Sequence, residues 1–247
     1  MKQILVVGAT SAMAEHCARI WAARGAARLV LVGRQATRLE AIAQDLRVRG
    51  AGVETAVRTL DFEDPQAILA LVEAVALEAP IDLALIAHGH LPDQSACEAD
   101  LALLASELSI NGLSPVLFAE AIVGAMQRSG RGALAVIGSV AGDRGRKSNY
   151  VYGAAKGLLE RYVEGLQHRL ASTGVRVTLV KPGPTDTPMT AHLKQGGARL
   201  ADVHHVARDI VGAVEAGRPV VYTPGRWALI MRVIRLLPRF VFNRLDI

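Results

Sequence analysis

The chain has 247 residues, 51% of them hydrophobic and only 4% aromatic, with Ala, Val, Leu and Ile dominating. That size fits one large α/β domain or two small ones, and it buries a substantial core without metal or disulfide staples. A net charge of +5 does not mark a nucleic-acid binder, because the arginines sit among aliphatics with no interleaved stacking aromatics.

Cys17 and Cys97 have neither ligand nor redox spacing, which implies a reducing cytoplasm. The start mimics an export signal, with Lys2, then Ile4 to Val7, then Ala12-Met13-Ala14. Its apolar run ends at Gly8 and is too short for a signal h-region. No window is expected to reach the roughly 18 apolar residues of a membrane span.

In chain order, residues 2–7 read as a short apolar strand and 12–24 as a helix. Residues 28–32 are strand-like, 37–50 a polar helix, 53–59 an alternating strand, and 65–78 a helix with Pro65 in its first turn. A strand over 81–87 precedes one long helix over 100–127, disturbed by Asn111-Gly112 and Pro115. Strands over 133–138, 175–180 and 219–222 follow, with helices over 150–172 and 202–216 between them. Strand–helix alternation without a Pro/Gly/Ser-rich linker predicts a single α/β domain over 1–247, a doubly wound, seven-stranded parallel sheet with helices on both faces. Such sheets bind ligands beyond the carboxyl ends of their strands, near the switch point. Function is therefore expected at 8–14, 33–38, 61, 87–90, 139–146 and 182–198.

Gly8-Ala9-Thr10-Ser11-Ala12-Met13-Ala14 joins the first strand to the first helix. Unpaired amides and the helix dipole make such a turn an anion site, placing Gly8, Thr10, Ser11, Ala12 and Met13 against a phosphate. A glycine-rich version would have Gly at 8, 12 and 14; two of these are alanine, the smallest departure, so a slightly displaced cofactor is expected. A plain strand–helix turn is the bland alternative. The second strand ends in Gly33-Arg34, with Arg38 one helical turn on, and has no carboxylate for a ribose 2′-hydroxyl. Guanidinium groups suit a 2′-phosphate, so NADP(H) is preferred over NAD(H), unless both arginines are merely solvated. Asp61 is placed to contact adenine, though Asp is also a common turn residue.

Tyr152-Gly153-Ala154-Ala155-Lys156 puts a phenol and an ammonium on one helical face. A fixed cation stabilises phenolate, which tyrosine needs to exchange protons near neutral pH. Ser139 directly follows an apolar strand, where its hydroxyl can polarise a carbonyl. Together with the nucleotide turn, these residues resemble the classical short-chain dehydrogenase/reductase family over essentially the whole chain. The resemblance implies a Rossmann-type fold and interconversion of a ketone with a secondary alcohol. It implies Tyr152 as proton donor or acceptor, Lys156 as its activator and ribose ligand, and Ser139 as the carbonyl contact. It further implies Asn111 as the support of a proton-relay water. Pro182-Gly183, Thr185 and Thr187 would lie at the nicotinamide amide, and Ala87 and Gly89 beside the cofactor. A homodimer or homotetramer is implied too. Where the family commonly has Asn-Asn-Ala-Gly, this chain has Ile86-Ala87-His88-Gly89. His88 and His90 are read as incidental loop residues.

From Arg226 onward there are five arginines and a single acid, Asp246. Trp227, Ile230, Met231, Ile234 and Leu237 define one apolar side, and Pro238 is expected to break the helix. A basic amphipathic helix of this kind can lie on an anionic membrane surface at the inner face, or it can pack on the subunit or a partner. This tail, Asn149-Tyr150-Val151-Tyr152 and Pro188-Met189-Thr190-Ala191-His192-Leu193-Lys194 resemble the reductases that act on decaprenylphosphoryl 2-keto pentoses. That resemblance implies a lipid-linked carbonyl substrate. A soluble reductase of 3-oxoacyl, steroid or small ketone substrates, and a non-catalytic NADPH-binding protein, are the competing readings.

Overall fold

The computed structural model describes residues 1–191 and 196–245. His192, Leu193 and Lys194 of the motif above, and Asp246 of the tail, lie outside the described residues. Seven strands form one all-parallel sheet in the order β3-β2-β1-β4-β5-β6-β7. They are β1 (Lys2–Val7), β2 (Ala27–Gly33), β3 (Glu54–Thr59), β4 (Leu83–Ile86), β5 (Gly132–Ile137), β6 (Val175–Pro182) and β7 (Val220–Thr223). β1 pairs with β2 on one side and β4 on the other, so the order reverses there and a crevice opens beyond its carboxyl end.

The strands are apolar on both faces because helices cover both. Ile4 and Val6 of β1 pack with α1 (Ala12–Ala23), α2 (Ala36–Arg49) and α8 (Val203–Glu215). Leu5 and Val7 point the other way, into the layer of α3 (Pro65–Glu78), α6 (Ser114–Ser129) and α7 (Tyr150–Leu170). Asp64 caps α3 by accepting from the Gln66 and Ala67 amides, ahead of Pro65 in the first turn.

The single helix expected over 100–127 is instead α5 (Leu101–Leu108), a π-helical turn over Ser109–Leu113, and α6. Asn-Gly is a poor α-helix former, and Pro115 removes a backbone donor just beyond it; a widened turn accommodates both. A short α4 (Gln94–Ala99) precedes this unit and was not anticipated. The expectation that no segment could span a membrane also needs correction. Leu101–Ser129 is long enough, with a best-window mean hydropathy of 1.5. Its Phe118, Ala119, Ile122, Val123 and Met126 are fully buried against the sheet, whereas Leu101 and Leu113 are exposed, and 39% of the apolar window is buried.

The tail forms α9 (Arg226–Leu236), and Pro238 separates it from α10 (Arg239–Phe242). Met231 is fully buried, and Trp227, Ile234 and Leu237 are partly buried, so most of the anticipated apolar side faces the protein. A second apolar row, unanticipated, stays in solvent: Leu229, Val233, Leu236 and Phe240. Arg144 fastens the tail by donating to the carbonyls of Ile234 and Leu237, with its guanidinium 3.8 Å from the centroid of the Phe242 ring.

Candidate active site

Two contiguous cavities, of about 420 and 270 Å³, lie at the crevice and share Ser11, Met13, Ala87, His88, Gly89, Thr187 and Met189 as lining. In the larger one, the amides of Gly8 and Ala9 both donate to Val32 O, at 2.9 and 3.0 Å, folding the β1–α1 turn over the end of β2. Gly8 has φ +76°, and a Cβ there would lie 2.6 Å from the His88 nitrogen. Ser11 occupies the N-cap of α1 without a side-chain cap bond, so its first-turn amides keep capacity for an external anion. Thr10, Ala12 and Met13 line the same space, as do exposed Arg34 and Arg38, neither with an ion-pair partner among the described residues. A glycine turn held open by close packing, unspent amides and two unpaired guanidiniums fit a dinucleotide carrying an extra phosphate. Asp61 is not part of this lining. Its carboxylate accepts from the Glu63 amide at 3.0 Å, and Phe62 lines the wall instead.

The smaller cavity gathers Ser139, Tyr152, Lys156, Pro182, Gly183, Thr185 and Thr187. Ser139 lies two residues beyond β5 and caps a 3-10 turn over Val140–Asp143, its Oγ accepting from the Ala141 amide at 3.1 Å. Burial pushes the Tyr152 phenol up, while its hydrogen bond with Ser139 pulls it down. The Lys156 ammonium donates to Ile137 O at 3.3 Å and lies 5.7 Å from the Tyr152 ring centroid. Burial lowers its pKa to about 8. Thr185 Oγ1 donates to Gly183 O at 2.9 Å, tightening the segment after β6.

Asn111 sits in the π-helical turn, fully buried. Its Oδ1 accepts from the His90 amide at 2.9 Å, and its Nδ2 donates to Glu107 O and Oε2 at 3.1 and 3.0 Å. The His90 ring closes the arrangement, with Nε2 2.8 Å from Glu107 Oε1. A Cβ on Gly89 would lie 2.7 Å from Asn111 Oδ1 and 3.5 Å from Lys156 Nζ, so both groups flank Gly89. Glu107 and His90 went unanticipated as holders of Asn111. The four-residue step from Glu107 to Asn111 was the available signal.

His88 is likewise not incidental. Its Nε2 lies 2.9 Å from Ser114 Oγ, which donates to Phe62 O, and its ring packs edge-on against Phe62 and Phe118. Burial first, then Lys156 and Arg34, lowers its pKa to about 3, so it is a neutral wall between the two cavities.

Beneath the site, Lys181 is buried between Asp143 and Glu160, with Glu160 Oε1 at 2.6 Å, and the Tyr222 hydroxyl donates to Asp143 at 3.2 Å. The tail reaches the same region. The Trp227 indole lies so close to Gly183 that any Cβ there would overlap it.

The model of the short chain dehydrogenase family matches residues 2–197. An oxidoreductase of Streptomyces coelicolor is 35% identical over 246 residues, covering 99% of this chain and 96% of its own. One of Mycobacterium tuberculosis is 35% identical over 245 residues, covering 98% and 96%. Sulfoacetaldehyde reductase 2 of Chromohalobacter salexigens is 34% identical, covering 80% of this chain and 78% of its own. Among solved structures, levodione reductase superposes with a TM-score of 0.83 at 23% identity, over 92% of this chain and 98% of its own. A dehydrogenase of Burkholderia cenocepacia in complex with NADP does so with 0.81 at 21%, covering both chains fully. One of Sphingobium yanoikuyae in complex with NADPH does so with 0.82 at 24%, over 97% of each. These likenesses, with the parallel sheet and the site at its switch point, establish that the chain belongs to the short-chain dehydrogenase family.

Proposed function

We propose that this protein is an NADPH-dependent carbonyl reductase, a reading carried by the convergence of Ser139, Tyr152 and Lys156 in a cavity continuous with the Gly8 and Arg34 cavity. Bound NADPH would supply the hydride. Gly8, Thr10, Ser11, Ala12 and Met13 would hold its pyrophosphate and Arg34 and Arg38 its 2′-phosphate, while Phe62 rather than Asp61 walls that cavity. Ala87, Gly89, Pro182, Gly183, Thr185 and Thr187 would flank the nicotinamide half. Tyr152 gives its proton to the carbonyl oxygen, Ser139 polarises that oxygen, and the Lys156 ammonium stabilises the phenolate left behind. Asn111, fixed by Glu107 and His90, positions the water that returns the proton. The NADP and NADPH complexes of the Burkholderia and Sphingobium structures support the choice of cofactor. Arg34→Ala is expected to weaken NADPH binding roughly tenfold to a hundredfold and NADH binding little, since a charged hydrogen bond contributes about 1.5–3 kcal/mol. Equal losses for both cofactors would remove the 2′-phosphate assignment.

We further propose that the substrate is a lipid-linked 2-keto sugar met at the inner face of a membrane. The support is the resemblance carried by Asn149–Tyr152 and 188–191 and the exposed row Leu229, Val233, Leu236 and Phe240 beside Arg232 and Arg239. The unpaired Cys17 and Cys97 fit a reducing compartment, and exposed Leu101, Leu113 and Leu158 fit a homodimer or homotetramer seam. The protein should sediment with phosphatidylglycerol vesicles at low salt and lose that affinity in Val233→Glu. A screen of NADPH oxidation that includes polyprenyl-phosphoryl keto sugars tests the substrate directly. Reduction of a small soluble carbonyl is the second reading, favoured by the name of the Chromohalobacter relative. It wins if the protein ignores vesicles and turns over only small ketones.

A further inference from the structure

The loop from the 3-10 turn to α7 places Arg146, Ser148 and Asn149 on the wall of the Tyr152 cavity. Every other basic residue around the cavity floor is engaged. Arg144 holds the tail carbonyls, Lys156 the Ile137 carbonyl beside the Tyr152 ring, and Lys181 the pair Asp143 and Glu160. Asp143 is the acid nearest in sequence to Arg146, but it is already committed to Lys181 and Tyr222, with Arg235 4.0 Å away. Arg146 therefore makes no ion pair among the described residues, and its Nε is buried without a hydrogen-bond acceptor. Burial holds its guanidinium below the usual arginine range, with Asp143 opposing at longer reach. Arg146 is half-buried, and a buried guanidinium N–H without an acceptor is costly; proteins retain one where a ligand supplies the acceptor.

Asn149 shows a complementary vacancy. It occupies the N-cap of α7, where an asparagine ordinarily accepts from the first-turn amides, yet it makes no cap bond. Gln94 Oε1 accepts from the Val151 amide instead, at 3.1 Å. The Asn149 Oδ1 is buried without a donor. Its backbone amide donates to Arg146 O at 3.1 Å, a turn that brings both side chains to the one cavity.

We propose that Arg146 and Asn149 form a substrate subsite for a ketone bearing an anionic group and a neighbouring hydroxyl. The guanidinium pairs with the anion, and the amide oxygen accepts from the hydroxyl. This rests on the carbonyl-reductase reading and narrows it, since a neutral, unhydroxylated ketone would leave both groups unpaired. The anion can be a free phosphate or a lipid-linked one, because the subsite recognises the shared chemistry.

The test is calorimetric titration of the NADP-loaded full chain with glycerol 3-phosphate, glycerol and farnesyl phosphate in detergent. Glycerol 3-phosphate is expected to bind at least roughly tenfold tighter than glycerol, with Arg146→Met erasing that preference and Arg146→Lys retaining part of it. Asn149→Ala should lower affinity for glycerol 3-phosphate and leave that for farnesyl phosphate in place. Tighter binding of farnesyl phosphate than of glycerol 3-phosphate points to a lipid-linked anion, and the reverse to a free one; either supports the subsite if Arg146→Met loses it. Equal binding of glycerol and its phosphate, no binding at millimolar concentration, or a preference surviving in Arg146→Met overturns the proposal. The wild-type comparison stands even if a variant does not fold. Anion binding without reduction of any ketone defeats the reductase reading and leaves the subsite intact.

Discussion

Tyr152→Phe is expected to lose about a hundredfold to ten-thousandfold in kcat for ketone reduction, the range contributed by a positioned acid. The ring keeps its packing in the variant, so NADPH affinity should stay within a factor of about two, a combination that a merely structural role would not give. Retained turnover would remove Tyr152 from the mechanism. The same site sets a pH dependence. Reduction needs Tyr152 protonated and Lys156 charged, and burial lowers Lys156 to about 8. Activity should accordingly fall as pH rises through about 8, well before an ordinary lysine loses its proton near 10.4. Lys156→Arg, which stays charged, should move that alkaline limb upward in a profile of kcat/KM. A profile still flat at pH 10 or so would show that Lys156 keeps its charge.

Lys181→Met is expected to cost about 3–5 kcal/mol, the penalty for breaking a buried ion pair and stranding its partner. Here two carboxylates lose their closest cation: Asp143, with a side chain 0% exposed, keeps only Arg235 at 4.0 Å, and Glu160, at 6%, only Arg161 at 3.5 Å. For a chain of this size the loss should lower Tm by roughly 6–20 °C in a circular-dichroism melt. The two carboxylates hold the Lys181 pKa above its usual value against burial. Its contribution is therefore fully present below the unfolded pKa and lost as pH rises through the higher folded one. Adding Asp143→Asn and Glu160→Gln to Lys181→Met should restore much of the loss, because neutral groups strand no charge. An unchanged Tm in the single variant would mean water reaches the cluster. Activity should fall too, since the three charges tie together the turn after Ser139, the helix one turn beyond Lys156 and the residue before Pro182.

What could be read from the sequence was local. The Tyr152–Lys156 step, Ser139 at a strand end and the Gly8 turn each declare themselves within a few residues, and the sheet follows from strand–helix alternation. The Lys181 cluster could not be read, because its partners lie 38 and 21 residues away on other elements and each resembles a solvated charge in isolation. His88 lacked a local signal for the same reason: Ser114, Phe62 and Phe118 meet it only through the fold. The tail was half readable. Its helical period showed an apolar side, but the sheet and the Arg144 clasp decide which row turns inward, and a second row at Leu229 and Val233 went unnoticed.

The Trp227 indole on Gly183 also gives the protein an optical division of labour. The chain has two tryptophans. Trp21 is 4% exposed on the core face of α1, so its emission follows global unfolding. Trp227 has a buried, unbonded Nε1 at the junction of the tail with the segment after β6, so its emission follows the seating of the tail. A Trp21→Phe protein would carry one emitter at that junction, and a change in its spectrum on adding vesicles or substrate would separate motion of the tail from loss of the fold.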